Sequence, residues 1–350
     1  MANRLFQLHE GSPLIGSPII YNVQATNKSG VANLTFHRVC LSVSVGMTGS
    51  ETRTYPFSIP VPKESTDTEV TFDISSALRA YLDDYAYVVQ TEGSVQYPVL
   101  NVTVQTWDEY MADGILHTEY DKLTEQVTRH YILGAWTDKE RLFSNITKGV
   151  SGLSRKPATG EMVPASGIYV GPNSFAYSVN DWFTGTAIAT PPTTAVINLA
   201  SKTANATFTS ADGRSVYVDG SQKPYTAFQF VNGFGVLESA FALTFPEESI
   251  QKNVKEYEIT TPMSFSRIRR NRTRKNRSRH IFKMSSGHVT EAWQRWWQEE
   301  FLNTEQAWIW MDSHWLPCSI VPDESVDGIK RTEDDMPEVL FSVKLDIDGI

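Results

Sequence analysis

Five apolar residues within 285–315 constrain the fold most. Val289, Trp293, Trp296, Trp297 and Phe301 recur at i, i+4, i+7, i+8 and i+12. That spacing gathers them on one face of an α-helix. Gln294, Arg295, Gln298, Glu299 and Asn303 fall on the other face, which is expected to stay wet. The spacing predicts a helix over 289–302, started by Ser286 and Gly287 and ended by Asn303 or Thr304. A helix carrying three indoles needs a broad apolar sheet to cover it. Ala307–Met311 and 315–321 read as strands joined by an Asp312-Ser313 turn. Six of the nine tryptophans lie in this stretch, Trp315 among them. Large aromatics dominate core burial, so Trp293, Trp296, Trp297, Phe301, Trp308 and Trp310 are assigned to the core. The competing reading is an exposed aromatic platform for sugars or bases. Helical spacing with a polar opposite face favours the core.

The rest reads as mainly β: two β-sandwich-like domains with a small β insertion and this one amphipathic helix. Residues 1–140 form the first domain. Its candidate strands are 18–25, 34–45, 55–61, 70–74, 97–107 and 125–136, with a short helix at 77–83 capped by Ser75 or Ser76. In 34–45 the alternation changes phase, which a β-bulge near Arg38 explains. Pro56, Pro60 and Pro62 place 55–61 at an edge or in an extended loop. Residues 141–165 are rich in Ser, Gly and Pro and read as a linker. Residues 166–350 form the second domain. Within it 166–220 is a Thr/Ala/Ser/Gly-rich arm of short strands whose small residues make a poor core alone, so it is expected to pack on something, a neighbouring subunit for example. Asp212-Gly213 and Asn232-Gly233 are hairpin turns. Residues 339–347 alternate as a closing strand.

Composition narrows the function. Of 350 residues, 41% are hydrophobic and 20% charged, the balance of a globular protein. A net charge of −9 argues against a general nucleic-acid binder. Cys40 and Cys318 sit far apart in alternating apolar context and read as reduced core residues, not a disulfide. The first residues lack the apolar run of a secretory signal, and no run approaches the ~20 apolar residues of a membrane span. Seven scattered histidines show no metal-ligand spacing. There is no phosphate-binding glycine loop and no nucleophile elbow. Neighbouring carboxylates such as Asp108-Glu109 and Glu299-Glu300 sit in polar context. No enzyme, cofactor or metal is expected.

One stretch stands apart. RIRRNRTRKNRSR, residues 267–279, holds eight cations in thirteen positions: Arg267, Arg269, Arg270, Arg272, Arg274, Lys275, Arg277 and Arg279. Taking the run's +8 from the total of −9 leaves −17 on everything else. As a strand, the run puts Arg267, Arg269 and Lys275 with Asn271 and Thr273 on one side, and Arg270, Arg272 and Arg274 with Ile268 on the other. Three readings compete: a solvated edge strand that discourages stray pairing, a strip that meets an acidic surface on another copy or a partner, and backbone contact with DNA or RNA. No aromatic residue interrupts the run, which disfavours a single-strand stacking platform.

Several blocks resemble tail and tail-tip structural proteins of bacteriophages, notably those infecting Bacteroidota. They are FQFVNGFGVLESAFAL (228–243), SSGHVTEAWQRWWQEEFLNTEQAWIW (285–310), WLPCSIVPDES (315–325) and EVLFSVKLDIDG (338–349). The start, RLFQLHEGSPLIGSPIIYNV (4–23), is similar in flavour, and 140–220 has no counterpart. The resemblance implies a distal-tail or baseplate-like virion subunit, made in the host cytoplasm, that forms a homo-oligomeric ring and meets other tail proteins. Rings need heterologous contacts, and the arginine run against 323–335 is a candidate pair. A carbohydrate-binding module and a two-carboxylate glycan hydrolase are the alternatives.

Overall fold

The structure is a computed structural model. It describes residues 4–7, 14–24, 27–28, 30–47, 55–64, 67–81, 87–119, 127–135, 137, 152–172, 192–262, 267–322 and 337–345. The chain is mainly β, as expected, and the helices among the described residues are short. No helix among the described residues is long and apolar enough to cross a membrane.

The first domain is a β-sandwich. Its elements are β1 (Arg4–Gln7), β2 (Ile20–Gln24), β3 (Leu34–Met47), β4 (Tyr55–Pro62), β5 (Glu69–Asp73), α1 (Ser75–Arg79), β6 (Ser94–Gln96), β7 (Leu100–Ala112), β8 (Ile115–Thr118) and β9 (Val127–Tyr131). One sheet runs β1-β2-β5; the other runs β4-β3-β7, with β8 and β9 both beside β7. Tyr21, Val23 and Phe72 of the first sheet meet Val39, Leu41, Val43, Val102 and Val104 of the second. Alternation is the cause: each of these strands turns every second residue inward. The proline-bearing β4 is an edge strand, as its composition requires. The bulge in β3 falls between Leu34 and Phe36, not near Arg38. His37 explains the shift. It is buried with Nε2 3.3 Å from Asp108, so a polar residue carries the inward parity of Val39 one step further. Helix α1 begins at Ser75, and its first amide is met by Asp73, whose carboxylate accepts from Ser75 N–H at 2.9 Å. The expected serine caps therefore lie inside the helix.

The insertion contributes β10 (Glu161–Pro164), β11 (Ile168–Pro172), β12 (Thr193–Asn198), β13 (Thr207–Thr209) and β14 (Ser215–Asp219). Residues 141–165 are thus not a linker throughout: 152–164 are folded, Leu153 is fully buried and β10 pairs in parallel with β14. The Asp212-Gly213 turn joins β13 to β14, with Gly213 at φ 86°. Strand β12 also pairs with β6, so the sheet β11-β12-β6 borrows a strand from the sandwich half of the chain. The arm does pack on something, and that is this same chain. Val163, Tyr169, Leu199, Val216 and Val218 close around Phe241, which projects from the outside of the last domain.

That domain consists of β15 (Tyr225–Val231), β16 (Leu237–Pro262), β17 (Arg267–His288), α2 (Glu291–Trp296), β18 (Ala307–Met311), β19 (His314–Pro322) and β20 (Glu338–Leu345). Its sheet closes into a six-stranded antiparallel barrel, β15-β16-β17-β20-β19-β18, where the sequence suggested sandwich-like layers. Phe228, Phe230, Ala240, Ala242, Met284, Ile309, Cys318, Phe341 and Val343 fill it. Helix α2 lies between the end of β17 and the start of β18, so it caps the end of the barrel that also holds the β15–β16 turn.

Candidate interaction surface

Trp293, Trp296, Trp297 and Phe301 do form the apolar face of the cap and pack on the barrel core. The helix starts later than expected, with Thr290 as its capping residue, and its last turn is π-helical over Trp297–Phe301, marked by a Leu302 N–H to Trp297 C=O bond of 2.9 Å. The wider turn brings Trp296, Trp297 and Phe301 onto one side together. Gln294, expected to be wet, is 4% exposed. Trp308 and Trp310 are not core residues. In β18 the small and aliphatic Ala307 and Ile309 point inward, so period-two alternation turns both indoles outward. Trp310 is 39% exposed and meets Trp315 edge-on at 5.2 Å on the outer surface.

At the capped end the two large domains touch through backbone. Gly134 (φ 105°) lies so close to the β15–β16 turn that a Cβ there would stand 2.4 Å from Phe234 Cα. Gly235 (φ 73°) approaches Leu133 as closely. Ala135 N–H donates to Gly233 C=O at 2.9 Å. Arg155 braces the joint: it pairs with buried Glu300 at 2.5 Å, donates to Ala135 C=O at 2.7 Å and stacks 4.1 Å above Phe234. Glu300 also accepts from Gly233 N–H at 2.9 Å. Beside this joint opens a cleft of about 520 Å³, bordered by Arg79, Glu299, Asn303, Thr304 and Glu305.

A second polar cluster fastens the insertion to the barrel. Lys156 reaches Glu161 at 2.5 Å and Ser239 C=O at 2.6 Å. Arg214 bonds Asp212 at 2.5 Å and lies 3.6 Å from Glu161 and 3.5 Å from Glu238. Asn232 donates to Glu238 at 3.1 Å, and Ser154 donates to its other oxygen. Glu238 is 0% exposed, and burial raises its pKa despite the cations nearby. Glu161 and Glu238 are thus two carboxylates brought together from distant positions, but both are buried and matched to cations. A hydrolase would need them across an open cleft. Burial likewise pushes the Cys40 thiol up to about 11, which keeps it protonated; both cysteines are buried and neither forms a disulfide, as expected. No group of three or more His, Cys, Asp or Glu among the described residues could hold a metal.

The arginine run lies on β17, in a ribbon that outgrows the barrel. Strand β15 leaves β16 at Leu243, and β20 leaves β17 at Ile281. Beyond those points β16 and β17 pair only with each other among the described residues, from Ile250↔His280 to Pro262↔Arg267. Thirteen residues of β16 at about 3.3 Å each make this ribbon roughly 43 Å long. Opposed residues in an antiparallel pair share a face, so the register sorts the charges. One face takes Lys255, Tyr257, Ile259 and Thr261 with Arg274, Arg272, Arg270 and Ile268. It holds four cations and no carboxylate. The other takes Val254, Glu256, Glu258, Thr260 and Pro262 with Lys275, Thr273, Asn271, Arg269 and Arg267. There two carboxylates offset three cations. Arg277 falls at the register shift opposite 253, and Arg279 pairs with Gln251. The division within the run follows its alternation. What a linear reading missed is the partner strand, which supplies an aromatic residue, Tyr257, across from Arg272. The acidic stretch 323–335 lies outside the described residues.

Compared with known proteins, the chain matches no family model, no curated protein and no solved structure.

Proposed function

We propose that the chain is a structural, non-catalytic subunit of a phage virion, a tail or tail-tip/baseplate ring component that acts through contacts with its own copies and with other tail proteins. The ribbon carries this reading. Among the described residues its two strands have no third neighbour beyond the barrel; a two-stranded ribbon is marginal in water, and open edges offer unpaired backbone groups. Such an element gains its stability from a partner surface. The closed barrel at its root has no free edge and suits a rigid mount. Segregation of +8 onto the ribbon strand against −17 elsewhere favours association between copies. Light scattering on the purified chain tests the proposal. At low salt a discrete multi-subunit species is expected, and it should loosen at about 1 M salt, where the Debye length falls to about 3 Å. A monomer under both conditions refutes self-assembly.

Trp310 favours one second reading. Exposed and set against Trp315 on the barrel's outer face, it suits stacking on a sugar ring. Glycans that quench tryptophan emission in the parent chain but not in Trp310→Ala would support a carbohydrate-binding role.

A further inference from the structure

The four-cation face of the ribbon and the open cleft lie at opposite ends of the barrel. Tyr225↔Leu243 and Ile281↔Lys344 mark the end from which the ribbon leaves. Val231↔Leu237 and His288↔Glu338 mark the other end, where the cap and the cleft sit. Seven residues of β15 separate them, roughly 20 Å. A ribbon that starts at one end and runs away from the other cannot turn its cationic face into its own cleft. A second copy can.

The cleft has the complementary chemistry. Glu299 and Glu305 stand on its rim, both exposed, and neither is ion-paired among the described residues. Of the two arginines beside them, Arg155 is already matched by Glu300. Arg79, on the sandwich side, donates to Gly16 C=O at 3.3 Å. Asn303, Thr304 and Gln306 add uncharged polar lining, and the volume of about 520 Å³ accommodates several side chains. The opposite ribbon face, with Glu256 and Glu258, would set carboxylate against carboxylate, so the register selects one face for docking.

We infer that the ribbon of one copy docks its Lys255/Arg270/Arg272/Arg274 face on the Glu299/Glu305 cleft of the next copy. The contact is head-to-tail: one patch meets a different patch. Repetition therefore closes a ring or grows a filament, and does not stop at a two-fold dimer. Tyr257 falls at a register position on the same face, opposite Arg272.

This rests on the reading of the chain as a self-assembling subunit, and a charge exchange separates the two ideas. Four samples are sized by light scattering: the parent chain, Arg270→Glu/Arg272→Glu/Arg274→Glu, Glu299→Arg/Glu305→Arg, and a mixture of those two variants. Each variant alone is expected to dissociate at least tenfold more readily than the parent. The mixture is expected to recover association, because reversed ribbon meets reversed cleft. Circular dichroism of each variant should match the parent, which separates loss of assembly from loss of folding. Arg267→Glu/Arg269→Glu/Lys275→Glu, on the other face, should weaken assembly less. If the cleft variant assembles like the parent while the ribbon variant is monomeric, the ribbon docks elsewhere and the inference fails with self-assembly intact. Loss of duplex DNA binding in the ribbon variant, with its assembly unchanged, would overturn the inference in favour of a nucleic-acid partner. A parent chain that stays monomeric at about 100 μM removes the underlying reading itself.

Discussion

Replacing Phe301 by Ala tests the cap-on-barrel arrangement directly. The ring is fully buried, with centroids 5.3 Å from Phe228, 5.3 Å from Phe230, 4.6 Å from Trp297 and 5.4 Å from Phe341. Returning a phenyl group to water costs about 2–3 kcal/mol. Its neighbours come from two strands and the cap, so they cannot all collapse inward. If roughly 80 Å³ stays open, at about 24 cal/mol per Å³ the cavity adds about 2 kcal/mol. The expected loss is therefore about 4–5 kcal/mol, a large part of the ~5–15 kcal/mol of a typical domain. Guanidinium unfolding followed by circular dichroism gives the difference from the shift in midpoint at constant slope. Trp310→Ala is the internal comparison. A larger side chain is removed, but from the outer face, and the expected cost is under about 1.5 kcal/mol. A Phe301→Ala loss below about 2 kcal/mol, or a Trp310→Ala loss as large, would refute the assignment of inside and outside.

Two further outcomes follow from the joints between units. Gly134→Ala combines a positive φ with a 2.4 Å clash against backbone, whereas Gly93→Ala (φ 77°) meets nothing within 4 Å. The first should lose at least ~3 kcal/mol and the second only the ~1–2 kcal/mol of left-handed strain, read as shifts in thermal midpoint. Glu238 has its folded pKa raised by burial, so the folded state holds its proton over a range where the unfolded chain has released it. Its contribution is present in full below about 4.5, the unfolded value, and is lost as pH rises through the folded value. Glu238→Gln keeps the shape and removes the titration, so the gap in stability between variant and parent should move in the variant's favour as pH rises from about 4. A gap that does not change with pH sinks this account.

Local periodicity carried much of the fold. The cap helix, the alternation of β3 and β20, the edge position of β4 and both Xaa-Gly turns are patterns of neighbours in sequence, and the residues that show them also form the elements. What was hidden depends on partners far along the chain. Trp308 and Trp310 look like core residues by type; only the closure of the barrel decides that Ala307 and Ile309 take the inside. Lys156, Glu161, Arg214 and Glu238 are four unremarkable charged residues until the insertion folds onto β16. In the ribbon, the alternation of the arginines was visible, whereas the companions of each were set by a register that begins inside the barrel.

Strand β6 gives this chain an order of events. It leaves the ribosome with the sandwich, yet among the described residues its only ladder is with β12, and Tyr97 next to it bonds Thr194 across 97 positions at 2.7 Å. At about 5–20 residues per second, β6 waits roughly 5–20 seconds for its partner to be made. Tyr97 also accepts the N–H of Leu237, the first residue of β16, so the same short segment is claimed again when the barrel begins. The nascent sandwich therefore carries an unfilled docking strand through much of synthesis. Fragments cut between the halves would inherit that open strand on one side and an incomplete sheet on the other.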